Sequence, residues 1–527
     1  MPSLRLLQKK SFPACQVLLV AALLSVAGCG KDDPPGPPAP TSTETTIEAS
    51  INLADVRETV PPNFLGLSME HYNIVGFFAG YRPNNAVTPA FLRLINNLKN
   101  RQKSGLILRI GGDSSDEAWW NPTNLPKPNG ITVNYADRDL SIIKNVADST
   151  DSKIIFGLNF GQNNPGLALA LGQQAQQKFG SSLLYSEIGN EPDIYTSNVY
   201  YGTTTVRSGT WTFPVFLTEY KSFLQQLKAA ANPIQKIAAP AFTTAGWMTS
   251  FTDGANFGQV ANHVDAFTYH RYPFQGRGTT NVITLENILT NEASDGLAGV
   301  TTGGVKAMVQ RAKAVAPNKP FYLSEVGSAA QGGKEGISNS FAAALWGTDM
   351  LFGMASAGVA GIQFHTTDAG WYSPFKFFRQ GDATSVFTPE VRPFYYSMLL
   401  FAQAAPSGAR LLPVQYSSAD NLKLWATLDG AGVVRIVAIN KTTDKDVLVR
   451  IALSGTRSSG SLIALKAPSL EATNGVTLAG QTFDGSADGK PLGAYVSEPV
   501  PATANQGRSE LTIRVQKSSA AMLTVNP

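Results

Sequence analysis

Two glutamates that close apolar segments are the residues of this chain with the clearest capacity for chemistry. Glu191 follows Asn190 just beyond the apolar run 184–188, and Glu325 is the last residue of the run 321–325. Cleavage of a glycosidic bond passes through an oxocarbenium-like state, which needs a protonated carboxyl at the leaving oxygen and an ionised one at the anomeric carbon. The sequence therefore predicts a catalytic pair, and a separation of roughly 5–5.5 Å would make the reaction retaining.

The residue after Glu191 is a proline, which restricts the backbone of the residue before it. Pro192 therefore predicts extended geometry at Glu191. It also stops the strand, so that the carboxyl can project from the strand end.

Eight short apolar runs alternate with amphipathic segments, a pattern typical of βα units. The runs are 64–69, 106–110, 154–159, 184–188, 237–240, 266–270, 321–325 and 361–365. Eight is the number that a closed (β/α)₈ barrel of the α/β class requires, and chemistry in such a barrel lies at the C-terminal strand ends. Glu191 and Glu325 would then belong to strands four and seven, which face each other across the barrel mouth.

After about residue 407 the pattern changes to short alternating strands separated by Gly, Ser, Asp and Asn, which predicts an antiparallel β-sandwich. The stretch 45–53 alternates in the same way and is expected to add a strand to that sandwich. The predicted division is a signal peptide at 1–28, a tether at 29–46, a strand joining the sandwich at 47–60, the catalytic barrel at 61–406 and the β-sandwich at 407–527.

Composition narrows the function classes. The chain has 527 residues, 43% of them hydrophobic and 15% charged, so it can bury a large core and does not resemble a disordered chain. Its net charge of +4 comes from scattered residues and gives no support to a nucleic-acid partner. The two cysteines, Cys15 and Cys29, both lie near the N-terminus, so the body of the protein has no thiolate metal site. We expect no metal and no organic cofactor.

The N-terminus predicts export. Basic residues precede the apolar run 17–27, which is too short to span a bilayer. The Val-Ala-Gly-Cys sequence at 26–29 resembles the bacterial lipobox, which implies cleavage before Cys29 and acyl chains that hold its thiol on a membrane. The Pro-, Ser- and Thr-rich stretch 31–46 is expected to be an extended spacer. We therefore expect a membrane-anchored bacterial lipoprotein of the cell envelope, either periplasmic or surface-exposed.

Several motifs together resemble glycoside hydrolase family seventy-nine of clan A, the heparanase and β-glucuronidase family. They are the Gly-Asn-Glu-Pro sequence at 189–192, the Leu-Ser-Glu sequence at 323–325 and the Ser-Phe-Ala-Ala sequence at 340–343. The resemblance runs from about residue 64 to about residue 412. It implies that Glu191 is the general acid/base, that Glu325 is the nucleophile, and that Asn190 binds the 2-hydroxyl of the sugar.

Further positions resemble the family at other strand ends. By that resemblance, Glu70 after strand one and Asp113 after strand two would reach sugar hydroxyls. Arg109 would orient the carboxylates, although a salt bridge in the barrel floor is an equal alternative. His270 and Tyr272 close strand six, where a hydroxyl could hold the nucleophile ionised.

Family members of the uronidase type bind the sugar carboxylate with tyrosine hydroxyls and glycine amides. The matching positions here are Gly332, Gly333, Gly370 and Tyr372. Ala330 stands where the family's strand-seven loop usually carries a tyrosine, so Lys334 or Gln331 would have to replace that donor, or the substrate is not a glucuronide. The expected partner is an oligosaccharide or a glucuronide.

Two other functions remain open at this point. One is another clan A specificity, such as a xylosidase, galactosidase or arabinosidase. The other is a surface glycan-binding lipoprotein on a degenerate barrel, which would require the loss of a catalytic carboxylate.

Overall fold

Eight parallel strands close into a barrel, which confirms the predicted fold class. The computed structural model describes residues 44–74, 78, 88–197, 199–200, 204–291, 304–379 and 387–527, so Cys29 and most of the tether lie outside the described residues. Barrel strands one to eight are, in chain order, Leu65–Glu70, Ile107–Gly111, Lys153–Leu158, Leu183–Ile188, Ile237–Phe242, Ala266–Arg271, Phe321–Val326 and Gly361–His365. Strand eight pairs with strand one and closes the ring.

Helices connect the barrel strands and pack outside them. Those described are Pro89–Gln102, Asp137–Thr150, Pro165–Phe179, Phe213–Ala229, Ala245–Phe251, Gly254–Gly258, Leu285–Leu289, Val305–Val315, Phe341–Ser356 and Pro393–Ala404. The third of them shows how the sequence sets their ends: the side chain of Asn164 accepts from the N–H of Gly166, a proline occupies the first turn, and the chain leaves through Gly180 at φ 53°. Within the described part of the chain, no helix combines the length and the apolar character needed to cross a bilayer.

The barrel interior changes from apolar to charged towards the C-terminal strand ends. Its lower layer is a separate apolar cluster of Ile107, Ile155, Tyr185, Ala238, Ala266 and Tyr322. Side chains two positions apart share a face of a strand. Arg109 and Glu187 therefore also point inward, two residues above Ile107 and Tyr185, and both are fully buried. The charged residues of the site stand on an apolar floor.

The C-terminal region forms a β-sandwich of two sheets. One sheet contains, in spatial order, Val414–Tyr416, Thr45–Ile51, Val447–Ser454, Arg508–Val515 and Thr503–Asn505. The other contains Arg410–Leu412, Leu422–Leu428, Val434–Asn440, Ser519–Val525, Ser459–Lys466 and Thr477–Leu478, with Glu498–Pro501 beside Ser459–Lys466. The N-terminal strand Thr45–Ile51 lies in the first sheet, parallel to Val447–Ser454.

The helix Phe341–Ser356 lies between the barrel and the sandwich, and it differs from the amphipathic pattern expected of the barrel helices. It is buried on almost every side. Its Asp349 accepts from Lys441 at 2.6 Å and from the indole N–H of Trp425 at 2.8 Å, both on sandwich strands or their ends. A fully buried ion pair therefore joins the two parts of the fold.

Candidate active site

A β-bulge in barrel strand seven turns Glu325 into the barrel. Leu323 lies opposite Tyr269, but Glu325 lies opposite the next residue, His270, so Ser324 is one extra residue in the pairing. Side chains alternate along a strand, so in a regular strand Glu325 would share the outward direction of Leu323. A bulge re-aims the side chains that follow it. The nucleophile candidate consequently faces the barrel mouth.

The backbone of Glu191 is left-handed, with φ 47° and ψ 52°, so the extended geometry expected from Pro192 is wrong. Its N–H donates to the carbonyl of Ala241 near the end of strand five at 3.0 Å, and its own carbonyl accepts from the N–H of Ile194 at 3.0 Å. These bonds hold a conformation that costs a residue with a side chain of the order of 1–3 kcal/mol. Such strain is typical of functional positions.

The two predicted catalytic carboxyls meet. An oxygen of Glu191, an oxygen of Glu325 and a ring nitrogen of His270 all lie within 4.8 Å of one another. Inverting glycosidases separate their carboxyls by about 6.5–9.5 Å to admit a water, whereas retaining ones hold them about 5–5.5 Å apart. The separation therefore fits direct attack by a carboxylate.

Arg109 donates hydrogen bonds to several side chains of the site. Its guanidinium donates to Glu187 at 2.6 Å, to Ser68 at 2.9 Å, to Glu325 at 2.7 Å and to the side-chain oxygen of Asn190 at 2.9 Å. Arg109 forms a buried salt bridge with Glu187 and also binds Glu325 and Asn190, so the two predicted roles are not exclusive of each other. A planar guanidinium fixes several oxygens in one geometry, which a lysine ammonium cannot do.

Glu325 is held in its ionised form. Burial alone would raise its pKa, but the charges of His365 and Arg109 and a hydrogen bond from Tyr272 outweigh burial and hold the pKa well below the usual range. The Tyr272 hydroxyl donates to Oε1 of Glu325 at 2.8 Å, as predicted for the end of strand six. An ionised carboxylate is the form that attacks an anomeric carbon.

Glu191 has the opposite electrostatic setting. Burial and then repulsion from Glu325 and Asp193 hold its pKa well above the usual range of a carboxyl. Nδ1 of His270 lies 3.1 Å from Oε1 of Glu191. Burial and the charge of Arg109 lower the pKa of His270 to about 4, so its ring is neutral near pH 7 and is free to share a proton with Glu191. Two carboxyls with opposed protonation states are the condition for acid and nucleophile roles.

Glu70 lies at the end of strand one, against the loop that follows strand two. It accepts from the backbone N–H of Ser114 at 3.0 Å and from its hydroxyl, and it lies 3.6 Å from His365. Gly112, at φ 75°, is required here because a Cβ on it would come 2.2 Å from the Glu70 carboxylate. Glu70 therefore already has protein partners where a contact with sugar was predicted.

His365 is a site residue that the sequence reasoning missed. It ends strand eight, with Nδ1 3.5 Å from Glu325 and Nε2 3.6 Å from Glu70. Burial would lower its pKa, but the two carboxylates outweigh burial and raise it. The available signal was its position as the last residue of the predicted strand. Glu187 was missed as well, although it is a charged residue inside an apolar run.

Asp113 lies at the open mouth of the barrel and its side chain is exposed. It accepts from the side-chain amide of Asn190 at 2.9 Å. Asp113 and Asn190 therefore lie together at the barrel mouth, and their predicted contacts with sugar stay a prediction.

The loops after strands seven and eight lie against each other, near Glu325. Gly332 and Gly333 have φ of 84° and 77°, and the carbonyl of Gly332 accepts from the N–H of Trp371 at 2.7 Å. The ring of Tyr372 lies 5.8 Å from that of Tyr272, between ring centres. The site therefore includes two neighbouring tyrosines beside a glycine pair.

Other predicted residues of these loops have structural contacts. The carbonyl of Gly370 accepts from Arg392, whose guanidinium also lies over the ring of Trp371. Lys334 directs its ammonium at the carbonyl of Ile283, at 3.4 Å. That contact does not support Lys334 as the substitute for the missing tyrosine.

Glu191, His270 and Glu325 also have the spacing of a metal site among the residues that the structure describes. Arg109 already places a positive charge 2.7 Å from Glu325, which opposes a second cation at the same carboxylate. The hydrogen bond between Glu191 and His270 accounts for the closeness of these two side chains.

Comparison with known proteins points to one family. Residues 424–522 match the model of the glycosyl hydrolase family 79 C-terminal beta domain. A β-glucuronidase of Aspergillus niger is 24% identical over 372 residues, which are 66% of this chain and 66% of that protein. Heparanase of Gallus gallus is 25% identical over 256 residues, 44% of each chain. The chain thus covers slightly less than two thirds of the fungal relative.

A solved structure has the same fold. The crystal structure of a 4-O-α-L-rhamnosyl-β-D-glucuronidase from Fusarium oxysporum 12S matches 90% of this chain and 100% of its own, with a TM-score of 0.67 and 21% identity. At 21% identity the match supports the fold alone, which is a barrel with a β domain.

Proposed function

We propose that the chain is a glycoside hydrolase of family 79 that acts as a retaining β-glucuronidase, with Glu191 as acid/base and Glu325 as nucleophile. One observation carries the proposal: two carboxyls within 4.8 Å of each other have pKa values displaced in opposite directions. Glycosidic cleavage with retention needs this pair.

The reaction would proceed in two displacements. In the first, the protonated carboxyl of Glu191 donates its proton to the leaving oxygen while Glu325 attacks the anomeric carbon and forms a glycosyl ester. Ester formation removes the negative charge of Glu325, so the repulsion that keeps Glu191 protonated disappears. Glu191 then accepts a proton from water, which attacks the ester and restores both groups.

The surrounding residues would hold the nucleophile and the sugar. Arg109 and Tyr272 fix the two oxygens of Glu325 before attack. The side-chain amide of Asn190 is fixed by Arg109 and Asp113, and one of its N–H bonds remains for the 2-hydroxyl of the sugar. A bond that strengthens in the transition state accelerates the reaction.

A uronic acid is the sugar we propose. The similarity to the β-glucuronidase of Aspergillus niger supports it, as does Tyr372 beside the glycine pair. Tyrosine hydroxyls can donate to a carboxylate without a basic residue. The position of Ala330 leaves one expected donor missing, so the preference must be measured directly.

The test compares aryl β-glucuronide, β-xyloside, β-galactoside and α-arabinofuranoside under identical conditions. We expect the glucuronide to have the highest kcat/KM, and Glu325→Gln to abolish its turnover. A higher kcat/KM for a neutral sugar would overturn the substrate assignment but not the mechanism. Turnover of none of the four by a folded protein that still binds glucuronic acid would favour a glycan-binding protein.

We also propose that the chain is exported and anchored through acyl chains on Cys29. The lipobox-like sequence and the Pro-rich stretch after it support this. In a bacterial host, radioactive palmitate should label the wild type and not Cys29→Ser. Equal labelling of both, or of neither, would contradict the anchor.

A further inference from the structure

Asp116 is a buried carboxylate, 2% exposed, in the turn Asp113–Glu117 after barrel strand two. Its Oδ1 accepts from the backbone N–H of Phe160 at 2.9 Å and from that of Gly161 at 2.7 Å, just beyond strand three. Its own carbonyl accepts from the side chain of Asn159 at 2.7 Å. Asp116 thus fixes the loop after strand three to the loop after strand two.

The second oxygen reaches the loop that carries the acid/base. Oδ2 of Asp116 accepts from the backbone N–H of Asn190 at 3.2 Å and from the hydroxyl of Tyr195 at 2.7 Å. A Cβ at Gly161 would come 2.7 Å from the Cβ of Asp116, so a glycine there allows this close approach. One carboxylate therefore connects the ends of three adjacent barrel strands.

The bond to Asn190 matters because the next residue is strained. Glu191 has a left-handed backbone, and such a conformation persists only where surrounding contacts determine it. The carbonyl of Ala241 holds its N–H from the strand-five side. Asp116 holds the preceding peptide from the strand-three side.

We propose that Asp116 is a positioning residue that fixes the aim of the Glu191 carboxyl. The proposal rests on the acid/base role of Glu191. A misplaced acid fails to protonate a poor leaving group, whereas an activated aryl group departs without that proton. Loss of the Asp116 bond should therefore have an effect that depends on the leaving group.

The test measures kcat/KM for β-glucuronides across a series of leaving groups with Asp116→Asn. In this variant an amide NH₂ group faces a donor where a carboxylate oxygen accepted a hydrogen bond, and the bond from Asn190 is one of those at risk. We expect kcat/KM to fall about 10- to 100-fold for an alkyl glucuronide and less than about threefold for a dinitrophenyl glucuronide. Gly161→Ala, which displaces the carboxylate without removing it, is the second variant and should show the same pattern.

The matched control is Asp349→Asn, which alters another fully buried carboxylate remote from the site. A loss of stability lowers the active fraction equally for all substrates, so this control should keep the wild-type dependence on the leaving group. Equal losses across the series in Asp116→Asn and Gly161→Ala, or no loss, would overturn the positioning role alone. Failure of the wild type to hydrolyse any glycoside would overturn the proposed function and this role with it.

Discussion

Replacing Glu325 with glutamine should lower the pKa of Glu191. The variant keeps the size of the side chain and removes one negative charge that lies within 4.8 Å of the Glu191 carboxyl. At an effective dielectric constant near 20, two unit charges at that separation repel by about 3.5 kcal/mol. That repulsion contributes, after burial, to the raised pKa of Glu191, so its removal should be large enough for a titration to resolve.

Difference infrared spectroscopy can follow this carboxyl directly. The spectrum of Glu325→Gln minus that of the double variant Glu191→Gln/Glu325→Gln isolates the carboxyl stretch of Glu191. The wild type minus Glu191→Gln gives the same band with the neighbouring charge present. We expect the band of the protonated acid to disappear at lower pH in the Glu325→Gln background.

An unchanged titration would refute the reasoning. It would mean that burial alone sets the protonation of Glu191. The change of role from acid to base between the two displacements would then have no electrostatic basis, because formation of the ester removes the same charge as the substitution.

Three further substitutions test other parts of the account. Arg109→Lys should lower kcat/KM by more than about tenfold, because each lost bond to a charged group is worth about 1.5–3 kcal/mol. Retained activity would contradict the role of Arg109 as the common hydrogen-bond donor of the site. Burial raises the pKa of Glu117 to about 7 from an ordinary value of 4.5, so the free energy of unfolding should fall as the pH rises between these values. Urea denaturation at pH 5 and pH 8 measures this fall, and the difference between the two free energies should be smaller in Glu117→Gln than in the wild type. Asp349→Asn leaves Lys441 buried without its counter-charge and should lower the free energy of unfolding by about 3–5 kcal/mol, and a loss below about 1 kcal/mol would show that the pair is not a joint between barrel and sandwich.

The sequence was sufficient for the barrel because its signal is local. Each strand is a short apolar run bounded by polar residues, and the observed bounds differ from the predicted ones by two residues at most, as in Ile237–Phe242 against 237–240. The proposed catalytic pair was visible for the same reason, because Glu191 and Glu325 each follow or close an apolar run. Strand ends are neighbours in a closed barrel, whatever their distance along the chain.

What the sequence left out depends on contacts between strands. The inward direction of Glu325 requires an extra residue at Ser324, which appears only in the pairing register. The left-handed backbone of Glu191 is determined by Ala241 and Asp116, which are distant in sequence, and the local preference set by Pro192 gives way to them. In the sequence, His365 is one of several residues at the end of an apolar run. What distinguishes it is the pair of carboxylates on either side of its ring, which belong to residues distant in sequence.

The central claim is that Glu325 forms a covalent bond with the sugar while Glu191 supplies the proton. The most direct measurement is peptide mass spectrometry after incubation with a cyclophellitol epoxide of glucuronic acid configuration, whose ring opening needs both groups. We predict one equivalent of adduct on Glu325, and greatly slowed labelling in Glu191→Gln. An adduct on another residue, or none on a protein that hydrolyses aryl glucuronides, would contradict the claim.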